Sequence, residues 1–548
     1  MTPAGHLTAA NDKIDALNLL SSNVVIKDAS TTDSDTLSAI VNAAVAPLVT
    51  NIENIDVTFT NAAGDLQSGN ITGVKTLSIN AGSTTAGKFS GLSATAAPTI
   101  RLGATTQTLT VAQTTDAGTT DVLNVALDGS KGGLTLNDGT ADGALETLNI
   151  ATGTSANKLT VAVDGTNTTG VTKTVITGSA DLTLVGAVDA QISGTAKFAA
   201  IDASAHTGAL TLQIGDTSAA TAITDTGVSL TNYKGVDKVV LNDSTVVNVT
   251  GASSGIAVDL NSDAAFATFT VAGSSAVSDA ASNADVANVN LTGATTAGTS
   301  SNVTGALTFT GFETLNLKST GIAHSIGALT TTGSATALDT VNISGDKDLT
   351  LTAATSGVEK IDATGFTGKL IMSAAGASLL SLTGGDGNDT LYSGGNATSA
   401  TAVNGGAGND TFIFGVNTDK VTGGAGADIF NTSTLANVLV AQNDVIADFT
   451  SGTDTLKVGA TMKAATTAAT LTVQSLTWGT DLATTIGTGT YATVDAAYLV
   501  KVTNDGGVTG ATSYYLVEND GTAGFQATND GVIKLTGVTS LTTADLIA

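Results

Sequence analysis

Between residues 51 and 380, apolar and polar residues alternate in short runs. One phrase recurs there, in which apolar, acidic, variable, apolar, polar and apolar residues follow one another: LETLNIA from Leu145, FETLNLK from Phe312 and LDTVNIS from Leu338. A period of two is typical of strands with one buried face, and turns rich in Gly, Ser, Thr, Asn and Asp separate the runs. We therefore predict a β-solenoid in which each rung buries its face on the next. The irregular intervals leave a β-sandwich array as the alternative.

The first 50 residues carry a different pattern. Apolar residues fall at i, i+3, i+4, i+7 and i+8, at positions Leu37, Ile40, Val41, Ala44 and Val45. This spacing predicts a short amphipathic helix, capped by Ser34 or Asp33 and ended by Pro47. A second, weaker helix is expected around residues 12–20. This small helical N-terminal segment would cap the solenoid or anchor the protein to a surface.

A third pattern, with a period of nine, lies between Leu382 and Asn431. Paired glycines, a third glycine, an aspartate and an apolar residue recur as GGDGNDTLY from Gly384, GGAGNDTFI from Gly405 and GGAGADIFN from Gly423. The second and third copies are 18 residues apart, and the first and second are 21 apart. A parallel β-roll explains both spacings. Turns two nonapeptides, or 18 residues, apart stack on one side, and the spacing of 21 is two nonapeptides plus a short insertion. A flexible glycine-rich linker would not need the apolar residue.

These turns offer oxygen ligands to a metal. Calcium takes six to eight oxygen ligands at about 2.3–2.6 Å, and glycine leaves its neighbouring carbonyl groups unobstructed. We predict that the nonapeptides hold Ca²⁺ through Gly385, Gly387, Asp389, Gly406, Gly408, Asp410, Gly424, Gly426 and Asp428. The apolar residues expected to point inward are Leu391, Phe412 and Ile429.

The three nonapeptides resemble the RTX repeat. The segment NDVIADFTSGTDTLKV that follows, from Asn443, resembles the phrase that closes the β-roll in RTX proteins. The resemblance implies that Asp448 and Asp454 match two aspartates of that family and, with Asp444, are candidates for a further calcium. A simple surface turn is the alternative.

Composition narrows the choice of partners. The chain has 47 acidic and 20 basic residues, a net charge of −27, so direct contact with nucleic acid is not expected and divalent cations are the natural counterions. There is no cysteine, so no disulfide or thiolate metal site stabilises the fold, and calcium would take that role. Only 4 % of residues are aromatic and 63 are glycine, which suits thin, stacked β-layers.

The two ends of the chain bear on export. Residues 1–11 lack a basic and an apolar region, and no apolar run approaches the roughly 20 residues of a transmembrane segment. The segment from Tyr491 alternates apolar and polar residues and predicts a small β cap. It ends in Asp545, Leu546, Ile547 and Ala548, which resembles the uncleaved signal of type I secretion substrates. We expect export by a type I secretion apparatus.

The sequence offers little for catalysis. The histidines His6, His206 and His324 are far apart, and none stands in an HExxH motif. No pair of carboxylates is singled out for glycoside chemistry, although such a pair is not excluded. We expect that the protein is not an enzyme.

The combination of low-aromatic β repeats, acidic charge, nonapeptides and acidic–apolar tail resembles RTX-type S-layer proteins of Gram-negative bacteria. The closing TNDGVIKLTGVTSLTTADL, from Thr528, is similar to the end of the Caulobacter-type surface-layer proteins. The resemblance implies a homo-oligomeric, two-dimensional lattice at the cell surface, assembled with calcium and held on lipopolysaccharide. The family often has a larger helical anchor than 50 residues provide. A secreted RTX adhesin and a secreted polysaccharide-active enzyme are the alternatives.

The predicted fold is all-β, an elongated β-solenoid or parallel β-roll with calcium-binding turns. The predicted parts are a helical segment at 1–50, the solenoid at 51–380, the RTX β-roll at 381–435, and a C-terminal β cap with the secretion signal at 436–548.

Overall fold

A computed structural model describes most of the chain. The described residues are 7, 9–93, 97–114, 121–137, 144–163, 170–186, 201–214, 228–230, 238–241, 247–252, 254–260, 269–273, 285–292, 302–331, 340–353, 355–374, 376–393, 399–416, 418–466, 471 and 473–548. His6 and the start of the phrase at Leu338 lie outside them. The chain divides into two compact units, Met1–Asn261 with Val271–Ala276, and Ser262–Thr270 with Val277–Ala548. The predicted boundaries at residues 50, 380 and 435 stay predictions.

In the first unit, successive strands alternate between two parallel sheets, so that two strands and their turns make one coil. One sheet contains Lys13–Leu19, Thr36–Val41, Asn54–Phe59, Thr76–Ile79, Thr99–Leu102, Val122–Leu127, Ala144–Thr152, Gly170–Gly178 and Ile201–His206. The other contains Ala44–Val45, Asp65–Gln67, Gly87–Leu92, Thr108–Gln113, Gly133–Asn137, Asn157–Val163, Leu182–Gly186, Leu210–Ile214, Lys238–Leu241 and Ile256–Leu260. A short third sheet contains Val25–Lys27, Leu48–Thr50 and Ile71–Thr72. Val228–Leu230 pairs with Val247–Ala252, a 3₁₀ turn spans Ser68–Asn70, and strand Phe269–Gly273 falls at the division between the two ranges.

The second unit repeats this plan. One parallel sheet contains Val286–Leu291, Thr314–Ser319, Thr340–Gly345, Lys360–Asp362, Ser381–Thr383, Thr401–Ala407, Asp419–Ala425 and Asp444–Ile446. The facing sheet contains Asn302–Thr310, His324–Thr331, Leu349–Leu351, Leu370–Met372, Thr390–Tyr392, Thr411–Ile413, Ile429–Asn431, Thr455–Lys457 and Leu546–Ile547. The fold is the expected parallel β-solenoid.

Like residues stack on like residues in this arrangement. Leu123 pairs with Leu148, and Val125 pairs with Ile150, in a parallel register without a shift. All four side chains are buried, and their strand neighbours face outward. Strand alternation therefore places a continuous apolar column between the two sheets, which is the stabilising contact between adjacent coils.

The acidic residue of the recurrent phrase has a structural role. Its carboxylate accepts a hydrogen bond from a backbone N–H one coil earlier, in the pairs Asp121 N to Glu146 Oε2 (2.9 Å) and Asp285 N to Glu313 Oε2 (3.0 Å). A looser copy of the phrase, IENIDVT from Ile52, has the same bond from Asp35 N to Glu53 Oε2 (3.0 Å). The polar position carries an asparagine ladder in the second unit, where Asn342 donates to Asn316 and Asn316 donates to Asn288, both at 2.9 Å. In this phrase the acidic position thus caps a turn of the preceding coil, and the polar position forms a ladder of asparagine side chains.

The predicted N-terminal helices are wrong. Lys13–Leu19 and Thr36–Val41 are strands, and the second of them pairs in parallel on both sides, with Lys13–Leu19 and Asn54–Phe59. Leu37, Ala39 and Val41 are buried, whereas Ile40, which a helix would bury, is only partly buried. A helix of this length has little stability of its own. As a strand, the same segment is stabilised by hydrogen bonds to a neighbouring strand on each side.

The C-terminal residues form the expected β cap on the second unit. Strand Thr512–Glu518 is antiparallel to Ala497–Thr503 on one side and to Gly531–Leu535 on the other. Val473–Thr477 extends the sheet by pairing in parallel with Ala497–Thr503, and Gly531–Leu535 pairs in parallel with Asp444–Ile446 of the solenoid. Helices Ala460–Ala465 and Leu482–Gly487 and 3₁₀ turns Leu435–Asn437, Asp505–Gly507 and Thr543–Asp545 complete it. Leu546 and Ile547 pair with Leu456 and Lys457, which ties the tail to the facing sheet. None of the helices in the described parts of the chain has the length and apolar character needed to cross a bilayer.

Candidate metal centre in the stacked turns

The three nonapeptides lie in successive coils, with their turns on one side. Their strands pair in register, Leu391 on Phe412 and Phe412 on Phe430, and these three side chains are fully buried. Phe412 and Phe430 stack with ring centroids 5.1 Å apart. The expectation for the third copy is wrong by one residue, because Phe430 points inward and Ile429 is only partly buried. In each copy the buried residue is the second after the aspartate.

The sixth-position aspartates form a hydrogen-bonded column. The backbone N–H of Asp389 donates to Asp410 Oδ1 at 2.7 Å, that of Asp410 to Asp428 Oδ1 at 2.9 Å, and that of Asp428 to Asp454 Oδ1 at 3.0 Å. At the near end, Leu370 N donates to Asp389 Oδ1 at 2.8 Å. Each carboxylate therefore caps the turn of the coil before it. Asp454 occupies the fourth place of the column, as its position in the closing phrase suggested.

This column concentrates buried negative charge. The four aspartates are each at most 5 % exposed. Burial raises the pKa of Asp410 to about 7, and the charges of Asp389 and Asp428 add in the same direction. Burial also raises the pKa of Asp428 to about 6. Asp410 Oδ2 is buried and has no hydrogen-bond partner, so the column contains an oxygen atom that is free to bind a cation.

The third glycine of each turn is required by the close approach of the coils. A Cβ atom on Gly426 would lie 1.9 Å from the carbonyl oxygen of Gly408, and one on Gly408 would lie 2.3 Å from that of Gly387. Gly408 and Gly426 also have φ values of +113° and +147°, which L side chains rarely adopt. The predicted glycine ligands thus form columns of their own, because Gly406 and Gly424 are also paired in register.

A second column of aspartates stands in the other sheet. Asp419 N donates to Asp444 Oδ1 at 2.7 Å, and Ser393 Oγ donates to Asp419 Oδ2 at 2.7 Å. Burial raises the pKa of Asp419 to about 6 and that of Asp444 to about 8, and Asp444 Oδ2 has no partner. Asp419 was not predicted from the sequence, because its segment lacks paired glycines. Counting nine residues on from Gly405 would have placed Asp419 at a sixth position.

Asp448 binds the backbone of a glycine pair rather than that of another aspartate. Its two carboxylate oxygens accept hydrogen bonds from Gly423 N at 2.8 Å and Gly424 N at 2.9 Å. Asp444, Asp448 and Asp454 were predicted to share one further calcium, yet each caps a different part of the preceding coil. Across the described ranges they do not form a group whose oxygens all lie within 4.8 Å of one another. The structure therefore distributes them over separate places along the β-roll.

The donor set of the turns fits a hard divalent cation. Carboxylate and carbonyl oxygens are the ligands that calcium prefers. Asp389, Asp410 and Asp428 would contribute carboxylates and the turn glycines carbonyls, and a bound cation would offset the repulsion of stacked buried anions. The role of the metal would be structural, joining one coil to the next.

Comparison with known proteins agrees with this part of the fold. Residues 331–483 match the family described as Peptidase M10 serralysin C terminal. That family is the calcium-binding RTX β-roll type, so this region is an RTX-type β-roll. The match is to the C-terminal repeat domain and not to the catalytic protease domain. No curated protein matches the chain.

His206 and His324 are the histidines within the described residues. His324 is buried, and its ring nitrogen Nε2 lies 2.9 Å from the carbonyl oxygen of Thr320. His206 is partly buried at the end of strand Ile201–His206. The sequence GASSG from Gly251 has the spacing of a serine nucleophile elbow. An elbow requires a strand followed by a helix, but here strand Ile256–Leu260 follows, and Ser253 lies outside the described residues.

Proposed function

We propose that the chain is a structural surface-layer protein of a Gram-negative cell, exported by a type I apparatus and assembled with calcium into a two-dimensional lattice. The observation that carries this proposal is the column of capped, buried aspartates in a β-solenoid whose matched region is of the RTX type. Such a column makes calcium a part of the folded structure. The regular solenoid gives the subunit a repetitive surface, which suits a lattice of identical copies.

Charge supports a role for calcium between subunits as well as within them. A subunit at −27 repels its copies, and a divalent ion shared by two carboxylates both neutralises and orients the contact. Monovalent salt only screens, over a Debye length of about 10 Å at 0.1 M. Salt therefore lowers the repulsion without fixing the geometry of a contact.

The polar turns of the C-terminal cap are the proposed positions of these intermolecular ions. Asp520 Oδ1 already accepts from Thr522 N within a partly exposed turn. Asp530, by contrast, is buried and caps Asp520 N and Gln526 N, so it stabilises the turn rather than facing a neighbour. Lipopolysaccharide is the proposed support of the lattice.

The test is assembly from chelated monomer. We expect ordered sheets in negative-stain micrographs, and a rise in scattering, when calcium is added, and none when the same ionic strength is supplied as sodium chloride with chelator. Sheets that form equally well without calcium would contradict a bridging role. A calcium-loaded chain that attaches to cell envelopes as scattered filaments, without an ordered lattice, would instead favour the adhesin.

A further inference from the structure

A second acidic cluster lies far along the sequence from the nonapeptides, in the first unit. Asp28, Asp33 and Asp35 stand in the segment that joins strand Val25–Lys27 to strand Thr36–Val41. Among all the residues that the structure describes, they form the one group of three acidic side chains with an oxygen atom of each within 4.8 Å of the others. No repeat motif marks this segment, and Asp33 was expected only to cap a helix.

The carboxylates are buried beyond what a solvated acidic turn requires. Asp35 is fully buried and Asp28 is 5 % exposed. Asp28 Oδ1, Asp35 Oδ2 and both carboxylate oxygens of Asp33 are buried atoms without a hydrogen-bond partner. Buried polar atoms are normally paired, and an unpaired buried carboxylate is strongly unfavourable. Four unpaired oxygens in one place therefore indicate a ligand.

Backbone groups position two of the three side chains. Ser30 N donates to Asp28 Oδ2 at 2.6 Å, and Asp12 N donates to Asp35 Oδ1 at 2.8 Å. In each case one oxygen is fixed by the main chain and the second is left unbonded. No ion pair within the described chain involves these aspartates, so no lysine or arginine supplies the missing positive charge.

The number of carboxylates indicates which cation fits. Magnesium usually keeps several waters and is bound through one or two carboxylates, whereas calcium takes six to eight oxygen ligands in a flexible geometry. Three carboxylates with an oxygen atom of each within 4.8 Å of the others therefore suit a calcium shell better than a magnesium shell. Three carboxylates supply three to six donors, and main-chain carbonyls or water complete the shell.

We propose that Asp28, Asp33 and Asp35 form a divalent-cation site that prefers calcium to magnesium and is independent of the nonapeptide turns. The ion ties together three coils, because Asp35 also donates its backbone N–H to Glu53 and accepts from Asp12. It thus stabilises the first coils of the solenoid, at a distance in sequence from the RTX-type region.

The test compares Asp33→Asn with the charge-matched control Asp15→Asn, which changes an exposed residue of the adjacent strand. Full-length chelated protein is given calcium or magnesium, and backbone hydrogen exchange is followed by mass spectrometry. We expect calcium, more than magnesium, to protect residues 28–36 of the wild type and of the control. Asp33→Asn should lose that protection and bind one fewer calcium ion in calorimetry.

Protection of residues 384–430 serves as the internal standard for folding and for the nonapeptide sites. We expect it to be the same in all three proteins. Equal protection of residues 28–36 in Asp33→Asn and the wild type would overturn the proposal. Equal protection by magnesium would overturn the preference for calcium. Failure of the nonapeptide sites to bind calcium, with residues 28–36 still protected, would contradict the proposed function alone.

Discussion

Aspartate has two roles in this molecule, and a single residue performs both. Asp410 caps the backbone N–H of Asp389 with one oxygen and holds its other oxygen unbonded in a buried place. The first role joins the turns of adjacent coils, and the second makes the stack a candidate site for a cation. An asparagine keeps the acceptor and removes the charge, so the two roles are experimentally separable.

We expect that replacing Asp410 and Asp428 together by Asn weakens calcium binding at least about tenfold, because carboxylate count sets calcium affinity. The fold should persist, since Asn Oδ1 can still accept the ladder bonds. Calorimetric titration with calcium measures the first effect and circular dichroism the second. The matched control is Asp346→Asn with Asp362→Asn, two exposed or partly exposed aspartates paired with lysines. Unchanged titration of the first variant would contradict the assignment of these ligands.

Glu518 gives a prediction about pH. It is fully buried and accepts a hydrogen bond from Thr432 Oγ1, and burial raises its pKa from 4.5 to about 8. The folded state therefore binds this proton more tightly than the unfolded state. Its contribution to stability is fully present below pH 4.5 and is lost as the pH rises toward 8, at up to about 1.4 kcal/mol per pH unit.

Glu518→Gln should remove this dependence, so that the variant gains stability over the wild type between pH 5 and about pH 8. Thermal unfolding across that range measures the difference. The control is Glu359→Gln, whose side chain is exposed and should leave the profile unchanged. Parallel pH profiles for Glu518→Gln and the wild type would show that this carboxyl group does not titrate with folding.

At the scale of the element, the turn depends on glycine for two distinct reasons. Gly426 has a positive φ, and its α-carbon faces the carbonyl oxygen of Gly408 in the neighbouring coil. Gly426→Ala should therefore lower the free energy of unfolding by more than about 1 kcal/mol. Gly103→Ala is the control, because nothing lies within 4 Å of its Cβ position and its φ is not positive. Equal thermal midpoints for the two variants would contradict the close packing of the turns.

Period-two alternation predicted the strands, and the nonapeptide spacing predicted which turns stack, because both patterns are local. The prediction of a helix in the N-terminal segment was wrong because its structure is decided by non-local pairing. Leu37, Val41 and Val45 are buried in either structure. The strand differs from the helix because it buries Ala39, leaves Ile40 only partly buried and exposes Ala44. That choice depends on pairing with residues 13–19 and 54–59, which no local period contains.

The candidate sites also divide into those that a local sequence pattern predicts and those that depend on contacts between distant residues. Asp389, Asp410 and Asp428 were predictable because glycines mark their turns. Asp419 lacks that mark, and the cluster at Asp28 exists only because the coil brings its carboxylates together. Sequence shows a site where its motif is repeated, and does not show one that arises from a single turn.

At the scale of the whole molecule, the tail has a part in the fold as well as its proposed part in export. Deleting residues 545–548 should block secretion while leaving synthesis intact, which fractionation of cells and medium measures. The deletion also removes the strand Leu546–Ile547 and the hydrogen bond from Gly452 N to Asp545 at 2.7 Å. Ser451→Ala is the control, because it removes another bond to Asp545 and keeps the tail. Normal secretion of the deleted chain would contradict the signal.

The column of aspartates also gives the β-roll a direction. Each turn amide donates to a carboxylate of the coil that follows. The carboxylates of Asp410, Asp428 and Asp454 accept from the backbone N–H groups of Asp389, Asp410 and Asp428, respectively. A carboxylate that loses its donor can swing toward water, whereas a backbone N–H that loses its acceptor is fixed in place. Fraying that begins at the closing phrase therefore propagates backward one coil at a time, and damage on the amino-terminal side stays where it began.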